Sequence, residues 1–264
     1  MKSTYNNPIG IFDSGVGGTS IWKEIHQLLP NENTIYLADS KYAPYGLKSK
    51  DEIINLSIKN TEYLLNKNCK LIVVACNTAT TNAISHLREK YNVPFIGIEP
   101  AIKPASLNTT TNNIGILATR GTLNSLLFAT TSNQLSDKIN IIEQVGEGLV
   151  ELIEKGQLYS PNMTILLNKH IAVFLKFNID YLVLGCTHYP YLIPQIQKII
   201  GSEIRIIDSG YAVAKQTKRV LEKNNLLNLN GADGYNKFYS NADKKILDDL
   251  LYQHKKASVD FLDF

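Results

Sequence analysis

The chain has 264 residues, of which 44% are hydrophobic and 19% are charged, so it is long enough for one large domain or two smaller ones. This composition excludes a disordered or fibrous protein. The formal net charge is only +3, and the basic residues are scattered except for the pairs Lys244-Lys245 and Lys255-Lys256. We therefore do not expect nucleic acid as a partner, because phosphate binding needs a clustered basic face.

The N-terminal residues and the cysteines both favour a cytosolic protein. The first ten residues, MKSTYNNPIG, lack the apolar stretch of a signal peptide, and no apolar run approaches the roughly 18 residues of a membrane-spanning helix. The three cysteines are odd in number and have no CxxC spacing, which predicts neither a disulfide framework nor a zinc site. We expect free thiols, no metal and no membrane partner.

Short runs rich in Ile and Val recur along the chain and predict strands that are buried on both faces of a parallel sheet. In chain order, they cover residues 8–12, 34–38, 70–75, 94–98, 113–117, 181–184 and 204–207. Amphipathic stretches between them predict helices, the first capped by Thr19 or Ser20 and the others over residues 51–65, 80–90, 190–200 and 212–221. This alternation predicts an α/β fold.

A weak internal repeat divides the chain into two related units. Residues 9–19 (IGIFDSGVGGT) resemble residues 114–122 (IGILATRGT), and residues 73–78 (VVACNT) resemble residues 183–188 (VLGCTH) at a similar offset. We predict two similar parallel-sheet domains, 1–100 and 101–208, which are related by pseudo-twofold symmetry and have the active site in the cleft between them. Residues 209–264 are expected to pack back on the first domain. The polar stretch 106–113 is predicted to be a linker, and 224–235 a long surface loop.

Polar residues follow the predicted strands at the edge where parallel sheets bind ligands, beyond the carboxyl ends of the strands. They are Asp13-Ser14 after the first strand, Cys76-Asn77-Thr78 after the third, and Thr119 and Cys186-Thr187-His188 after the matching strands of the second unit. If the two units face each other, two thiols converge on one cleft. One thiol can then remove a proton from one face of a carbon while the other protonates the opposite face. A helix N-terminus is expected to lower the pKa of such a thiol.

Each of these residues also has an interpretation without function. Free cysteine is among the most buried residue types, but two thiols at homologous strand ends favour a catalytic role for Cys76 and Cys186. Cys69 has no counterpart and is interpreted as a core residue. His188 either polarises Cys186 or is an ordinary loop histidine. Asp13 either caps the helix that follows it or faces Cys76.

The glycine-rich turn after the first strand supports a different interpretation. Gly15, Gly17 and Ser20 approximate the GxGxxG fingerprint of dinucleotide-binding proteins, and Asp39 ends the next strand, where a ribose-binding acid would lie. The third glycine of the fingerprint is missing, and a carboxylate at Asp13 would lie close to the pyrophosphate. A nucleotide-binding oxidoreductase and an inactive binding protein are the alternatives to a cofactor-free enzyme.

Four motifs, residues 13–18 (DSGVGG), 44–46 (PYG), 75–79 (ACNTA) and 185–190 (GCTHYP), together resemble glutamate racemases of the cofactor-independent aspartate/glutamate racemase family. The resemblance extends from Ile9 to about Gly210. It implies two α/β domains, interconversion of L- and D-glutamate without pyridoxal phosphate or metal, supply of D-glutamate for bacterial peptidoglycan, and a homodimer. An aspartate racemase is the alternative, because one methylene is worth only about 1 to 3 kcal/mol in a pocket.

The same resemblance assigns roles to individual residues. Cys76 and Cys186 match the catalytic thiols, Cys76 acting on the D enantiomer, and Asp13 and His188 match the residues that assist them. An assisting glutamate is expected within residues 144–156, where Glu154 is favoured and Glu151 is the alternative. Thr119 lies in a turn that is ATRGT here and GTxGT in the family. The expected substrate contacts are Asp13, Ser14, Tyr45, Gly46, Asn77, Thr78, Thr119, Thr187 and His188.

Overall fold

The computed structural model describes residues 4–135, 138–254 and 256–264, so Lys255 of the second basic pair lies outside the described residues. The chain alternates strands and helices in two parallel sheets, and the predicted α/β class is confirmed. Within the described ranges, no helix is long and apolar enough to cross a membrane.

The strands are β1 (Ile9–Asp13), β2 (Thr34–Ala38), β3 (Leu71–Val74), β4 (Phe95–Gly97), β5 (Asn113–Ala118), β6 (Asn140–Val145), β7 (Tyr181–Gly185), β8 (Arg205–Ile207), β9 (Asn236–Ser240) and β10 (Ala257–Phe261). The helices are α1 (Thr19–Leu28), α2 (Lys50–Asn66), α3 (Asn77–Lys90), α4 (Ile102–Asn108), α5 (Arg120–Leu123), α6 (Leu126–Asn133), α7 (Leu149–Glu154), α8 (Pro161–Phe174), α9 (Ile193–Ile200), α10 (Gly210–Lys223) and α11 (Lys245–Leu251).

The two sheets share one strand order, which explains the internal repeat. The first sheet contains β2-β1-β3-β4 and the second β6-β5-β7-β8, and β9 and β10 extend the first sheet beyond β2. In both sheets the order reverses beside the first strand of the unit, between β1 and β3 and between β5 and β7. Ligands of open parallel sheets bind at such a reversal, because the loops there diverge and leave a crevice. Cys76 and Cys186 follow β3 and β7 at this position.

Strand β1 shows why the apolar runs form central strands. Ile9, Ile11 and Phe12 are fully buried, and successive side chains point to opposite faces of the sheet. Ile9 and Ile11 belong to the cluster that contains Trp22 of α1, whereas Phe12 belongs to the cluster that contains Leu87 of α3. Helices cover both faces of the sheet, because burial of each such side chain stabilises the fold by about 1.5–3 kcal/mol.

The C-terminal segment adds α10, which packs against α1, and the strands β9 and β10, of which β10 forms the edge of the sheet. As predicted, residues 224–235 contain no helix or strand. This loop is held at Glu32, whose carboxylate accepts the N–H of Asn228 at 2.8 Å and lies 2.5 Å from the ammonium of Lys70. Glu32 and Lys70 therefore form a buried ion pair at the amino end of β2.

Four sequence predictions differ from the structure. Thr19 and Ser20 lie inside α1 and do not cap it, since Gly18 is the N-cap residue. The predicted linker 106–113 is wrong in its first part, because α4 continues to Asn108. Helix α3 begins three residues before position 80, since the Cys76 thiol accepts the N–H of Ala79 and caps the helix. The helix predicted over 190–200 is divided into a 3₁₀ turn and α9, because Pro194 has no N–H to continue a helix from the preceding turn.

Candidate active site

A narrow cleft lies between the carboxyl ends of the two sheets. It is lined by Ser14, Pro44, Tyr45, Gly46, Cys76, Asn77, Thr78, Thr119, Val150, Cys186, Thr187 and His188. The structure thus brings together both predicted thiols and every expected substrate contact except Asp13. Asp13 is fully buried beside this lining, where it accepts a hydrogen bond from the Thr187 hydroxyl at 3.3 Å.

Asp13 combines the two interpretations that the sequence left open. Its Oδ2 accepts the N–H of Gly18 at 2.8 Å and that of Gly15 at 3.3 Å, so it organises the turn before α1. The same carboxyl interacts with the Cys76 thiol. Burial raises the pKa of Asp13 to about 6, although the charge of His188 and the bond from Gly18 lower it. Asp13 can therefore exchange a proton near neutral pH.

The Cys76 thiol donates to a hydroxyl in the cleft. Its Sγ lies 3.7 Å from the Ser14 hydroxyl, and the residue is 4% exposed. Burial, followed by the charge of Asp13, raises the pKa of Cys76 well above its ordinary value. The prediction that a helix N-terminus would lower this pKa is wrong. The hydrogen bond from the Ala79 N–H does lower the pKa of Cys76, but desolvation raises it by more.

On the other side of the cleft, Cys186, His188 and Glu154 form a chain of contacts. Cys186 Sγ lies 3.8 Å from Nδ1 of His188, and Nε2 of the same ring lies 2.6 Å from Oε1 of Glu154. Burial lowers the pKa of His188, but the hydrogen bonds and charges of Cys186 and Glu154 reverse this and raise it well above its ordinary value. Nδ1 of His188 therefore faces the thiol, and Nε2 faces both Glu154 and the N–H of Gly17, which lies 3.2 Å away.

Glu154, the favoured assisting glutamate, is held by the opposite sheet. Its Oε1 accepts the N–H of Val16 at 2.7 Å, and its Oε2 accepts the Ser40 hydroxyl at 2.8 Å. Glu151 instead lines a neighbouring cavity with Arg120 and Glu147. The contacts thus favour Glu154 over Glu151 as the partner of the histidine.

The turn after β1 does not fit a dinucleotide. The N–H groups of Gly15, Val16 and Gly18 already donate to carboxylates of the protein. Gly17 packs against the His188 ring so closely that a Cβ at this position would lie 2.2 Å from Nδ1. The structure therefore leaves no N–H group of this turn for a pyrophosphate.

Asn77 is the residue of the cleft that most clearly lacks a partner. It is 3% exposed, and neither its Oδ1 nor its Nδ2 has a hydrogen-bond partner in the protein. An unpaired buried polar atom costs about 1–3 kcal/mol, so this carboxamide favours a ligand that offers both donors and acceptors. Beside it, the Thr78 hydroxyl lies 2.8 Å from that of Thr119, which joins the two sheets despite its altered turn.

Two parts of the cleft differ from the sequence prediction. The Tyr45 phenol donates to Asp39, so Tyr45 and the following Gly46 line the cleft without offering this hydroxyl to a ligand. Val150 lines the cleft but was not predicted, because α7 was not recognised in the sequence. The signal was present: Val150 and Glu154 are four residues apart, the spacing of one helix face. Within the described ranges, no group of three or more His, Cys, Asp or Glu side chains is placed to hold a metal.

The pKa of Asp13 predicts a pH-dependent term in stability. Because the pKa rises from 3.8 to about 6 on folding, the native carboxyl binds its proton more tightly than the unfolded one, and this stabilisation is lost as the pH rises between these values. Relative to the Asp13→Asn variant, the wild type should lose about 2.4 kcal/mol of unfolding free energy from about pH 4 to about pH 7. Urea unfolding at each pH measures this, with exposed Asp263→Asn as the control. Parallel curves for wild type and Asp13→Asn would contradict the assigned pKa.

The two sheets have the same strand order, and each contributes a thiol with a proton-exchanging group beside it. This arrangement defines the class of protein as an isomerase that moves a proton between the two faces of a carbon. The family model for Asp/Glu/Hydantoin racemase matches residues 9–217. The chain belongs to this racemase family, and the resemblance to glutamate racemases seen in the motifs is confirmed.

Individual relatives agree with this membership. The glutamate racemase of Ectopseudomonas mendocina is 45% identical over 221 residues, which are 83% of this chain and 84% of the relative. That of Pseudomonas putida F1 is 43% identical over 96% of each chain. Among solved structures, a glutamate racemase isoform from Bacillus anthracis has a TM-score of 0.88 at 28% identity, over 98% of both chains. The Escherichia coli glutamate racemase, in complex with L-glutamate and the activator UDP-MurNAc-ala, has a TM-score of 0.85 at 32% identity, over 97% of this chain and 98% of that one.

Proposed function

We propose that the protein interconverts L-glutamate and D-glutamate by direct transfer of the α-proton, with Cys76 and Cys186 as the two bases and without a cofactor. The observation that carries the proposal is that both thiols line one cleft. The unpartnered carboxamide of Asn77 in the same cleft supports an amino-acid ligand, whose ammonium and carboxylate groups offer donors and acceptors. The relatives named as glutamate racemases support glutamate as the substrate.

Small polar groups that line the cleft hold the substrate. We assign its carboxylates and ammonium group to Asn77 and to the hydroxyls of Ser14, Thr78, Thr119 and Thr187, with the backbone of the segment containing Tyr45 and Gly46 as a further wall. Such donors also stabilise the negative charge that develops on the α-carboxylate when the α-proton leaves.

The proton path uses different partners on the two sides. When D-glutamate is the substrate, Cys76 first passes its own proton to Asp13, whose pKa of about 6 permits this near neutral pH. The thiolate then takes the α-proton, and the Cys186 thiol protonates the opposite face of the carbanion. His188, hydrogen-bonded to Glu154, returns a proton to Cys186. The reaction of L-glutamate reverses each step. Before a second D-glutamate reacts, Asp13 releases its proton to solvent and His188 takes one up, so protons balance over a cycle.

We further propose a cytoplasmic homodimer that supplies D-glutamate for peptidoglycan. The cysteines, all free and buried, suit a reducing compartment. We divide the chain into residues 1–100 with 209–264 and residues 101–208, a division supported by the membership of β9 and β10 in the first sheet.

Circular dichroism of purified protein incubated with either enantiomer of glutamate tests the function. We expect the signal of L-glutamate and that of D-glutamate both to decay to zero, and kcat/KM for glutamate to exceed that for aspartate by about tenfold or more, since the pocket must distinguish one methylene. Stable signals for glutamate would refute the proposed function, and a preference for aspartate would reassign the substrate. Turnover that requires added pyridoxal phosphate or metal would refute the two-thiol mechanism.

A further inference from the structure

Asp39 is a fully buried carboxylate that lies outside the cleft. The proposed reaction does not use it. It follows β2 and accepts hydrogen bonds from several distant parts of the chain. Lys59 Nζ and Asn60 Nδ2, both on α2, lie 2.9 Å and 3.3 Å from its oxygens, and Asn241 Nδ2, which follows β9, lies 2.5 Å away. The phenol of Tyr45 donates to the same carboxylate. With two donors to each oxygen, the hydrogen-bonding capacity of Asp39 is filled by the segment that follows it, by α2 and by the residue after β9.

Tyr45 transmits this arrangement to the cleft. The side chain is 1% exposed, and its hydroxyl also accepts a hydrogen bond from Asn60 Nδ2 at 3.2 Å. Burial and the charge of Asp39 raise the pKa of Tyr45 well above its ordinary value, so the phenol stays a donor. The next residue, Gly46, faces the second sheet at close range: a Cβ there would lie 3.1 Å from Cβ of Thr119. A shift of Tyr45 would therefore move the wall of the cleft.

Asn241 fixes the beginning of the same segment. While its Nδ2 donates to Asp39, its Oδ1 accepts the backbone N–H of Lys41 at 2.9 Å. Lys59 adds a contact on the outer side, where its ammonium lies 4.5 Å from the centre of the Tyr42 ring. The segment 40–47 is thus held at its start, its middle and its last turn by groups that converge on one carboxylate.

We infer that Asp39, with Asn60 and Asn241, is a positioning residue that holds segment 40–47 against the cleft, and that it determines substrate affinity rather than the rate of proton transfer. The inference rests on the proposed function for its kinetic consequence. Its physical basis is that both oxygens of the Asp39 carboxylate accept hydrogen bonds. An asparagine in its place has one acceptor oxygen and turns an NH₂ group toward donors. At least one of the four hydrogen bonds then becomes a contact between two donors.

The test compares Asp39→Asn with Glu32→Gln. Glu32 lies before β2 and Asp39 lies after it, at the two ends of one strand. Both carboxylates are buried, and each pairs with a lysine. Only Asp39 is connected to the cleft. We expect Asp39→Asn to raise KM for D-glutamate by about tenfold or more, to leave kcat within about threefold, and to leave the primary deuterium isotope effect unchanged. Glu32→Gln should lower the melting temperature to a similar extent and leave KM unchanged.

Two further measurements keep the inference falsifiable. If Asp39→Asn does not fold, Tyr45→Phe and Asn241→Ala remove single partners of the carboxylate and should each raise KM without lowering kcat. Hydrogen exchange of peptides that cover residues 40–48 should be faster in Asp39→Asn than in Glu32→Gln. An unchanged KM in the Asp39 variant, an equal rise in Glu32→Gln, or unchanged exchange would overturn the inference. A wild type without racemase activity would refute the proposed function instead, and the exchange measurement would still test the anchoring.

Discussion

Replacement of Cys76 by serine is expected to abolish interconversion of the glutamate enantiomers, and replacement of Cys186 should do the same. A hydroxyl is far less acidic than a thiol, so the variant loses one of two bases that act on opposite faces of the carbon. Since a general base contributes about 10² to 10⁴-fold, each substitution should lower the rate by at least this factor. The initial rate of loss of the circular dichroism signal, measured from each enantiomer separately, gives the result.

Cys69→Ser is the matched control for both variants. Cys69 is also a buried free thiol, and burial raises its pKa to about 12, but it does not line the cleft. Its replacement should leave racemisation within about twofold of the wild type, because the substituted atom has no role in proton transfer. Activity at the wild-type level in either cleft variant, or a loss in Cys69→Ser as large as that in the cleft variants, would show that the two-thiol mechanism is wrong.

The residues behind the two thiols should affect the two proton abstractions unequally. Asp13 contacts Cys76, whereas His188 contacts Cys186 and is held by Glu154. Asp13→Asn should therefore slow mainly the abstraction by Cys76, and His188→Asn and Glu154→Gln should slow mainly the abstraction by Cys186. We expect kcat/KM to fall by about 10²-fold equally for both enantiomers, and the asymmetry lies in which of the two proton transfers limits the rate. The equilibrium between the enantiomers does not change, because a catalyst alters barriers only.

The primary deuterium isotope effect with α-deuterated substrate distinguishes the two directions. In Asp13→Asn it should rise for D-glutamate, the enantiomer assigned to Cys76, and in His188→Asn and Glu154→Gln it should rise for L-glutamate. Glu151→Gln serves as the control, since Glu151 lines the neighbouring cavity. Isotope effects that are equal in both directions for all three variants would mean that these residues hold the substrate and do not serve separate bases.

The local sequence determined the fold class and the position of both thiols. Apolar runs such as residues 70–75 must be buried. A parallel strand that is covered on both faces of its sheet is the short element that buries such a run completely. Because Cys76 and Cys186 follow such runs directly, the strands themselves carry the thiols to the carboxyl edge of each sheet. The repeat then predicted that the two units are alike, which the shared strand order confirms. Strands β9 and β10 were missed because their polar alternation becomes informative only once β2 is there to pair with β9, and β9 to pair with β10.

Only the tertiary structure decided the electrostatics of the site. Glu151 and Glu154 lie three residues apart on one short helix, so sequence alone left both open, and the contacts of Glu154 with Val16 and His188 come from segments far away in the chain. The helix N-terminus at Cys76 predicted a lowered pKa, but burial by both sheets raised it. Hydrophobic patterning is local and is encoded in neighbouring residues, whereas desolvation and hydrogen-bond partners depend on which distant segments meet, and these appear only in the folded chain.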